Sequence, residues 1–231
     1  MPNEPEIKRV HAYVDGQNLF HAARAVFGTS YPDFDPRCLA DRICLAQGWE
    51  LAKVRFYTGV PDPEMNPQWS RFWEAKLSAM RSRGVSVFTK PLAYRRGRPD
   101  ENGEATAPVG VEKGIDIRLA IDVVRDALDR ACDVALLFTQ DADQAEVAAE
   151  VRRISREQNR WIKVACAFPT SPGSRFRRGV DGADWLPFDQ RLYRDCKDPL
   201  DYREDPQAMA QHPRDEAWAT WTADPGKPRR P

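Results

Sequence analysis

Residues 134–144 read Val134-Ala135-Leu136-Leu137-Phe138-Thr139-Gln140-Asp141-Ala142-Asp143-Gln144, five apolar residues that stop at a hydroxyl, an amide and two carboxylates. A short continuous apolar run of this kind reads as a strand buried on both faces, the pattern of a parallel sheet covered by helices on either side. Asp141 and Asp143 then stand at the carboxyl edge of that sheet, where open α/β sheets gather their functional groups.

Upstream, residues 9–15 alternate and end on Asp15, and Gly16 allows a tight turn into a helix beginning near Asn18. This strand, turn and helix aim the side chains of Asp15 and Asn18 at one point, although Asn18 can equally serve as a plain helix cap. Asp35-Pro36 supplies an N-cap and first helical residue for a second helix closed by Gly48, and residues 49–58 follow as a strand. A third helix, capped by Asn66, carries Trp69, Phe72, Trp73, Leu77 and Met80 on one stripe, which is a core face. Residues 85–91 make another strand.

Residues 94–112 show no regular pattern and hold Arg95, Arg96 and Arg98, which can clamp phosphates or simply be solvated. Lys113-Gly114-Ile115-Asp116 then opens a helix to about residue 130, with Ile117, Ile121, Val124 and Leu128 spaced to pack on the sheet. Asp116 falls in its first turn, where the helix dipole favours an anion. Asp122 is rotated away from Asp116 and is assigned to pairing with Arg118 or Arg125.

Beyond the opening stretch, Val147, Ala148, Val151 and Ile154 mark a helix whose outer face carries Arg152, Arg153, Arg156 and Arg160. Residues 161–168 form a further strand, and 183–188 a short element docking on the sheet. From 196 to 231 proline and aspartate take over, predicting an extended tail that Leu200, Tyr202, Met209, Trp218 and Trp221 can tack onto the domain, a second subunit or another protein.

The 231 residues balance 35 basic against 35 acidic side chains, so no global basic footprint marks the chain as a nucleic-acid binder. No apolar run approaches the ~20 residues of a membrane span, and the N-terminus lacks the features of a signal peptide. The expected location is the cytoplasm, with no membrane partner. Five cysteines without a Cys-x-x-Cys spacing argue against a disulfide framework or a zinc site and for small buried hydrophobes.

Alternating strands and helices predict an α/β fold, a three-layer α/β/α sandwich around a mostly parallel sheet of about five strands. Asp15, Asp141 and Asp143 follow strands and share one edge; the position of Asp116 is less determined. Acids crowded together raise one another's pKa and call for a cation. Mg²⁺ or Mn²⁺, hard ions that take oxygen ligands and leave positions open for phosphate oxygens, meet that need.

Taken in order, Val14-Asp15-Gly16-Gln17-Asn18, Lys113-Gly114-Ile115-Asp116 with Asp122 following, and Thr139-Gln140-Asp141-Ala142-Asp143 resemble the NYN domain of the PIN-like nuclease superfamily, in its LabA-like branch. The resemblance covers residues 8–195. It implies a PIN-like sandwich and metal-dependent endoribonuclease activity on single-stranded or structured RNA. Asp15, Asp116, Asp141 and Asp143 match the family's catalytic, metal-holding acids, Asn18 its nearby Asn, and Lys113 its Lys. Thr139 stands where the family has Ser and keeps the hydroxyl, while Gln144 replaces an aromatic. Asn18, Lys113, Thr139, Arg95 and Arg96 are the expected RNA contacts. Two other readings compete: a catalytically silent RNA-binding module on the same fold, and a phosphatase or receiver-like domain built on Asp15. The latter is disfavoured because Gln17 stands where a second acid would be needed.

Overall fold

Every one of the five apolar residues at 134–138 is buried, as a strand covered on both faces requires. The computed structural model describes residues 2–95, 108–174 and 178–204. The chain runs β1 (Arg9–Asp15), α1 (Gly16–Phe27), α2 (Pro36–Gln47), β2 (Glu50–Val60), α3 (Pro67–Ser82), β3 (Ser86–Pro91), β4 (Ala93–Arg95), β5 (Val109–Val111), α4 (Ile115–Leu128), β6 (Val134–Phe138), α5 (Gln144–Glu157), β7 (Lys163–Pro169), β8 (Asp184–Phe188) and α6 (Gln190–Asp195). Six strands, all parallel, form the central sheet in the order β3-β2-β1-β6-β7-β8. The sixth is β8, added at the edge by the short element at 183–188.

Strand alternation sorts the core into two layers. Val10, Ala12 and Val14 of β1 face a core shared with α1, α2, α3 and α6, whereas Tyr13 faces α4 and α5. The aromatic stripe of α3 is buried as its spacing requires, with Trp73 and Phe72 each 1% exposed. Truncating such a ring to alanine costs about 3–5 kcal/mol. Asp35 caps α2 through the amides of Arg37 and Cys38, with Pro36 in the first turn and Gly48 closing it in the left-handed region.

The structure corrects four of the readings above. First, α4 packs on the sheet through Ile115, Leu119, Val123 and Ala127, with Asp122 and Asp126 on the same face. Ile117, Ile121 and Leu128, expected to face the sheet, are 62%, 51% and 51% exposed. Apolar spacing misled because the buried face includes two acids, each matched to polar groups of the sheet: Asp126 to His11, Tyr13 and Arg55, Asp122 to Tyr57.

Second, part of the irregular stretch 94–112 is an antiparallel hairpin, β4 pairing with β5. Its strands of three residues are too short to show a period. Third, Gly16 is already the first residue of α1, rather than a turn ahead of a helix beginning near Asn18. A Cβ there would stand 2.4 Å from the Phe56 ring, so glycine permits α1 to approach β2.

Fourth, Cys38 and Cys196 form a disulfide, while Cys44, Cys132 and Cys166 are buried thiols as expected. The pair is separated by 158 residues, so no local spacing announces it. A backbone bridge between Phe34 and Lys197 brings the two together. Just beyond, Asp198 receives the buried Lys76 ammonium and the Arg83 guanidinium of the α3 end. The first residues of the expected tail therefore pack on α2 and α3; Met209, Trp218 and Trp221 lie outside the described residues. Among the described residues no helix is long and apolar enough to cross a membrane.

Candidate active site

The strand order reverses between β1 and β6: from β1 the chain proceeds outward through β2 and β3, and from β6 outward through β7 and β8. Such a switch point opens a crevice beyond the carboxyl ends of the two central strands. Asp15 stands at the end of β1 and Asp141 just past the end of β6.

Local hydrogen bonds hold these two ends in register. The Asn18 amide donates to Asp15 Oδ1 at 3.0 Å, making Asp15 the N-cap of α1. The Gln140 amide donates to Asn18 Oδ1 at 2.8 Å, tying the β1–α1 turn to the loop after β6. Within that loop the Asp141 amide donates to Thr139 Oγ1 and the Asp143 amide to Asp141 Oδ1. Asp141 is thereby fixed on the cleft and Asp143 is left exposed on the rim.

The third acid comes from α4. Gly114 precedes it with φ +71°, and the Lys90 Nζ would lie 3.0 Å from any Cβ at that position. Glycine is favoured there by the left-handed backbone, while the flexible end of Lys90 could move aside for a Cβ. Asp116 in the first turn lines the same cleft as Asp15 and Asp141.

A fourth acid, unforeseen from sequence, is Glu112. Its carboxylate accepts the backbone amide of Gly59 at the end of β2, and Gly59 has no Cβ to block that approach. Its signal was the same as for Asp15 and Asp141, a strand ending on an acid, but β5 is too short for the strand itself to be recognised.

These acids share a cleft of about 140 Å³. Burial pushes the Asp15 carboxyl up to about 7; the Asn18 amide opposes this, and the Asp141 and Asp116 charges add to it. Burial likewise pushes Glu112 up to about 8, reinforced by Asp15 and opposed by the Gly59 amide. Asp141 is raised too, chiefly by burial. Among the described residues, no lysine or arginine forms an ion pair with Asp15, Glu112, Asp116 or Asp141.

An all-carboxylate donor set with uncompensated charge fits a hard divalent cation in chemistry. Among the described residues, however, no three such side chains are gathered into a ready-made metal cluster. The carboxylates border the cleft rather than converge on one point.

Of the residues expected from sequence, Asp15, Asn18, Asp116 and Asp141 line the cleft. Thr139 is buried, its hydroxyl held by the Asp141 amide, so it shapes the turn. Lys113 and Arg95 are exposed and outside the cleft lining. Arg96 and Arg98 lie outside the described residues.

Asp122 is in the α4–sheet interface, bonded to Tyr57 and Arg118. Of the four arginines assigned to the helix after β6, Arg160 lies beyond the end of α5, and three are engaged within the chain: Arg152 with the Gly182 carbonyl, Arg153 with Glu150 and Glu157, and Arg160 with Asp133 and backbone carbonyls. Gln144 is buried, and its side-chain oxygen has no hydrogen-bond partner among the described residues.

No curated protein matches the chain. Among solved structures, a protein of unknown function from Vibrio parahaemolyticus RIMD 2210633 aligns at 19% identity with a TM-score of 0.48, over 79% of this chain and 94% of that one. The family model of the NYN domain matches residues 9–180, a span that contains every cleft acid, and the chain therefore belongs to the NYN domain family, part of a nuclease superfamily with a PIN-like fold.

Proposed function

We propose that the protein is a metal-dependent endoribonuclease, and that within its family it is a LabA-like member, on the ordered motifs at 14–18, 113–116 and 139–143. The observation that carries the activity is the gathering of Asp15, Glu112, Asp116 and Asp141 around one cleft at the sheet's switch point, with mutual repulsion and, among the described residues, no ion-paired counter-charge.

Asp15, Asp116 and Asp141, with Glu112 beside them, would hold Mg²⁺ or Mn²⁺. Bound there, such an ion supplies positive charge beside a phosphodiester and makes water a stronger acid. Burial and the neighbouring acids raise the Asp15 and Glu112 carboxyls, so an ion bound there would compete with protons for them. Asn18 keeps the β1 and β6 ends together while this happens. Lys113 just before α4 and Lys90, whose ammonium lies beside Gly114, would supply positive charge to RNA phosphates outside the cleft lining.

Incubation of end-labelled RNA with the purified protein, with and without Mn²⁺, tests this. The expected result is cleavage by the wild type that requires Mn²⁺ and falls by at least about a hundred-fold in Asp15→Asn. Cleavage that is equal in wild type and variant and indifferent to EDTA overturns it. The exposed position of Asp143 and the lack of a ready-made ligand cluster favour a second reading, a silent RNA-binding module. Salt-sensitive RNA binding without turnover under any divalent ion would select it.

A further inference from the structure

The cleft has two unlike sides. Carboxylates line one. The other is apolar, formed by Pro61 and Met65 after β2 and by Leu92 and Tyr94 leading along β4.

This second wall is held rigidly although its hairpin pairs with no strand of the central sheet. The Leu92 amide donates to the Val60 carbonyl at 3.0 Å, fixing the start of the hairpin to the end of β2. Tyr94 Oη accepts the Asp62 amide at 3.0 Å, pinning the ring against the loop after β2. Gly110 of β5 completes the wall, because a Cβ there would stand 2.8 Å from Leu92 Cδ1.

Leu92 and Pro61 are buried at the base of this wall, and the half-buried Met65 and Tyr94 carry it out to the cleft, presenting a surface for a flat uncharged group. The space is of the right size. An enclosed apolar cavity of roughly 150 Å³ takes one benzene ring, and this open cleft measures about 140 Å³. Amides stand at its edges. Gln17 of α1 lines it, and Asn66 commits its oxygen to the α3 cap, leaving an NH₂ donor.

We propose that the β4–β5 hairpin and the loop after β2 form a nucleobase subsite, in which one unpaired base adjoining the scissile phosphate stacks against Tyr94 and Leu92 and presents its edge to Gln17 and Asn66. This rests on the endoribonuclease reading and deepens it. A base held in a Watson–Crick pair cannot enter, so the site takes RNA only where at least one nucleotide is unpaired.

The test uses a short single-stranded RNA and a set of the same RNA with one abasic position moved along it, in affinity measurements and in Mn²⁺ cleavage assays. One abasic position next to the cleavage point is expected to weaken binding about ten-fold, the loss of one stacked base, and others to weaken it little. Tyr94→Ala should show the same ten-fold loss on intact RNA and no further loss on that abasic RNA. Tyr94→Phe, which keeps the ring, should retain affinity. If Tyr94→Ala does not fold, the abasic scan on wild type decides alone. Equal binding and cleavage of all the abasic RNAs, or equal cleavage of a blunt duplex and a single strand, would overturn the subsite while leaving the nuclease standing. A wild type that neither binds nor cleaves any RNA overturns the nuclease reading itself and the subsite with it.

Discussion

Two groups of acids, each with a buried member, lie along the α4 side of this protein, and their surroundings are opposite. In the α4–sheet interface, Asp126 accepts from Tyr13 Oη and His11 Nδ1 at 2.7 Å each and from Arg55 at 2.8 and 2.9 Å. Burial pulls its pKa upward, yet these bonds hold the carboxyl far below the usual range. At the cleft, Asp15 is also buried and also hydrogen-bonded, but by backbone amides and beside other acids, and its carboxyl is pushed up to about 7. Burial of an acid therefore does not by itself mark function. What separates the two groups is whether the described residues supply an ion-paired opposing charge, and at the cleft they do not.

The largest effect should come from breaking the satisfied group. Asp126→Ala strips His11, Tyr13 and the half-buried Arg55 of their shared acceptor, leaving Arg55 only Asp122 at 3.8 Å, and should cost about 3–5 kcal/mol in urea unfolding at neutral pH. Because the folded pKa of Asp126 is depressed, its contribution is present above the unfolded carboxylate value and is lost as pH falls through the lower folded value. The gap between wild type and variant should thus narrow below about pH 4.

The cleft should respond to the charge it lacks. Mn²⁺ at a hundred times its Kd should stabilise the wild type by about 2.7 kcal/mol, read as a rise in Tm, and should do nothing for an Asp15→Asn/Asp141→Asn double variant. An equal rise in both would erase the distinction between the two groups. Smaller still, Asp15→Asn alone should raise the Tm in EDTA at pH 8, by about 2–4 °C, the shift that roughly 1 kcal/mol produces in a domain of this size. Asparagine can keep the α1 cap while removing the charge. The sign follows from the raised folded pKa: ionising Asp15 costs stability as pH rises through about 7, and the advantage of asparagine disappears below the unfolded value. A fall in Tm at pH 8 would contradict this account of the cleft. The smallest effect belongs to Tyr57→Phe, which removes one hydrogen bond to Asp122 and should cost about 0.5–1 kcal/mol.

The same contrast explains what could be read from the residues alone. Caps, strand ends and the acids at 15 and 141 were legible because each depends on near neighbours in the chain, whereas Asp116, a helix away from its strand, was assigned only through the family resemblance. Residues 35–38 and 66–69 are local hydrogen-bonding units, and an apolar run ending on an acid is a local pattern. Asp126 was invisible as a core residue because its partners come from β1 and β2, and without them a carboxylate on the buried face of α4 looks like an error. Glu112 was missed because its strand is held by pairing with β4 and carries almost no pattern of its own. Asp143, read as the twin of Asp141, parts from it because its amide closes the turn onto Asp141 Oδ1.

The Cys38–Cys196 bond gives the domain a property that none of its noncovalent contacts can supply. It closes a covalent ring that contains every strand of the sheet except β1 and every acid of the cleft except Asp15. A protease that cuts once within the ring does not release a fragment, and the nicked chain should migrate as one species until a reductant is added. Reduction of that single bond changes the nicked chain from one covalent molecule to two.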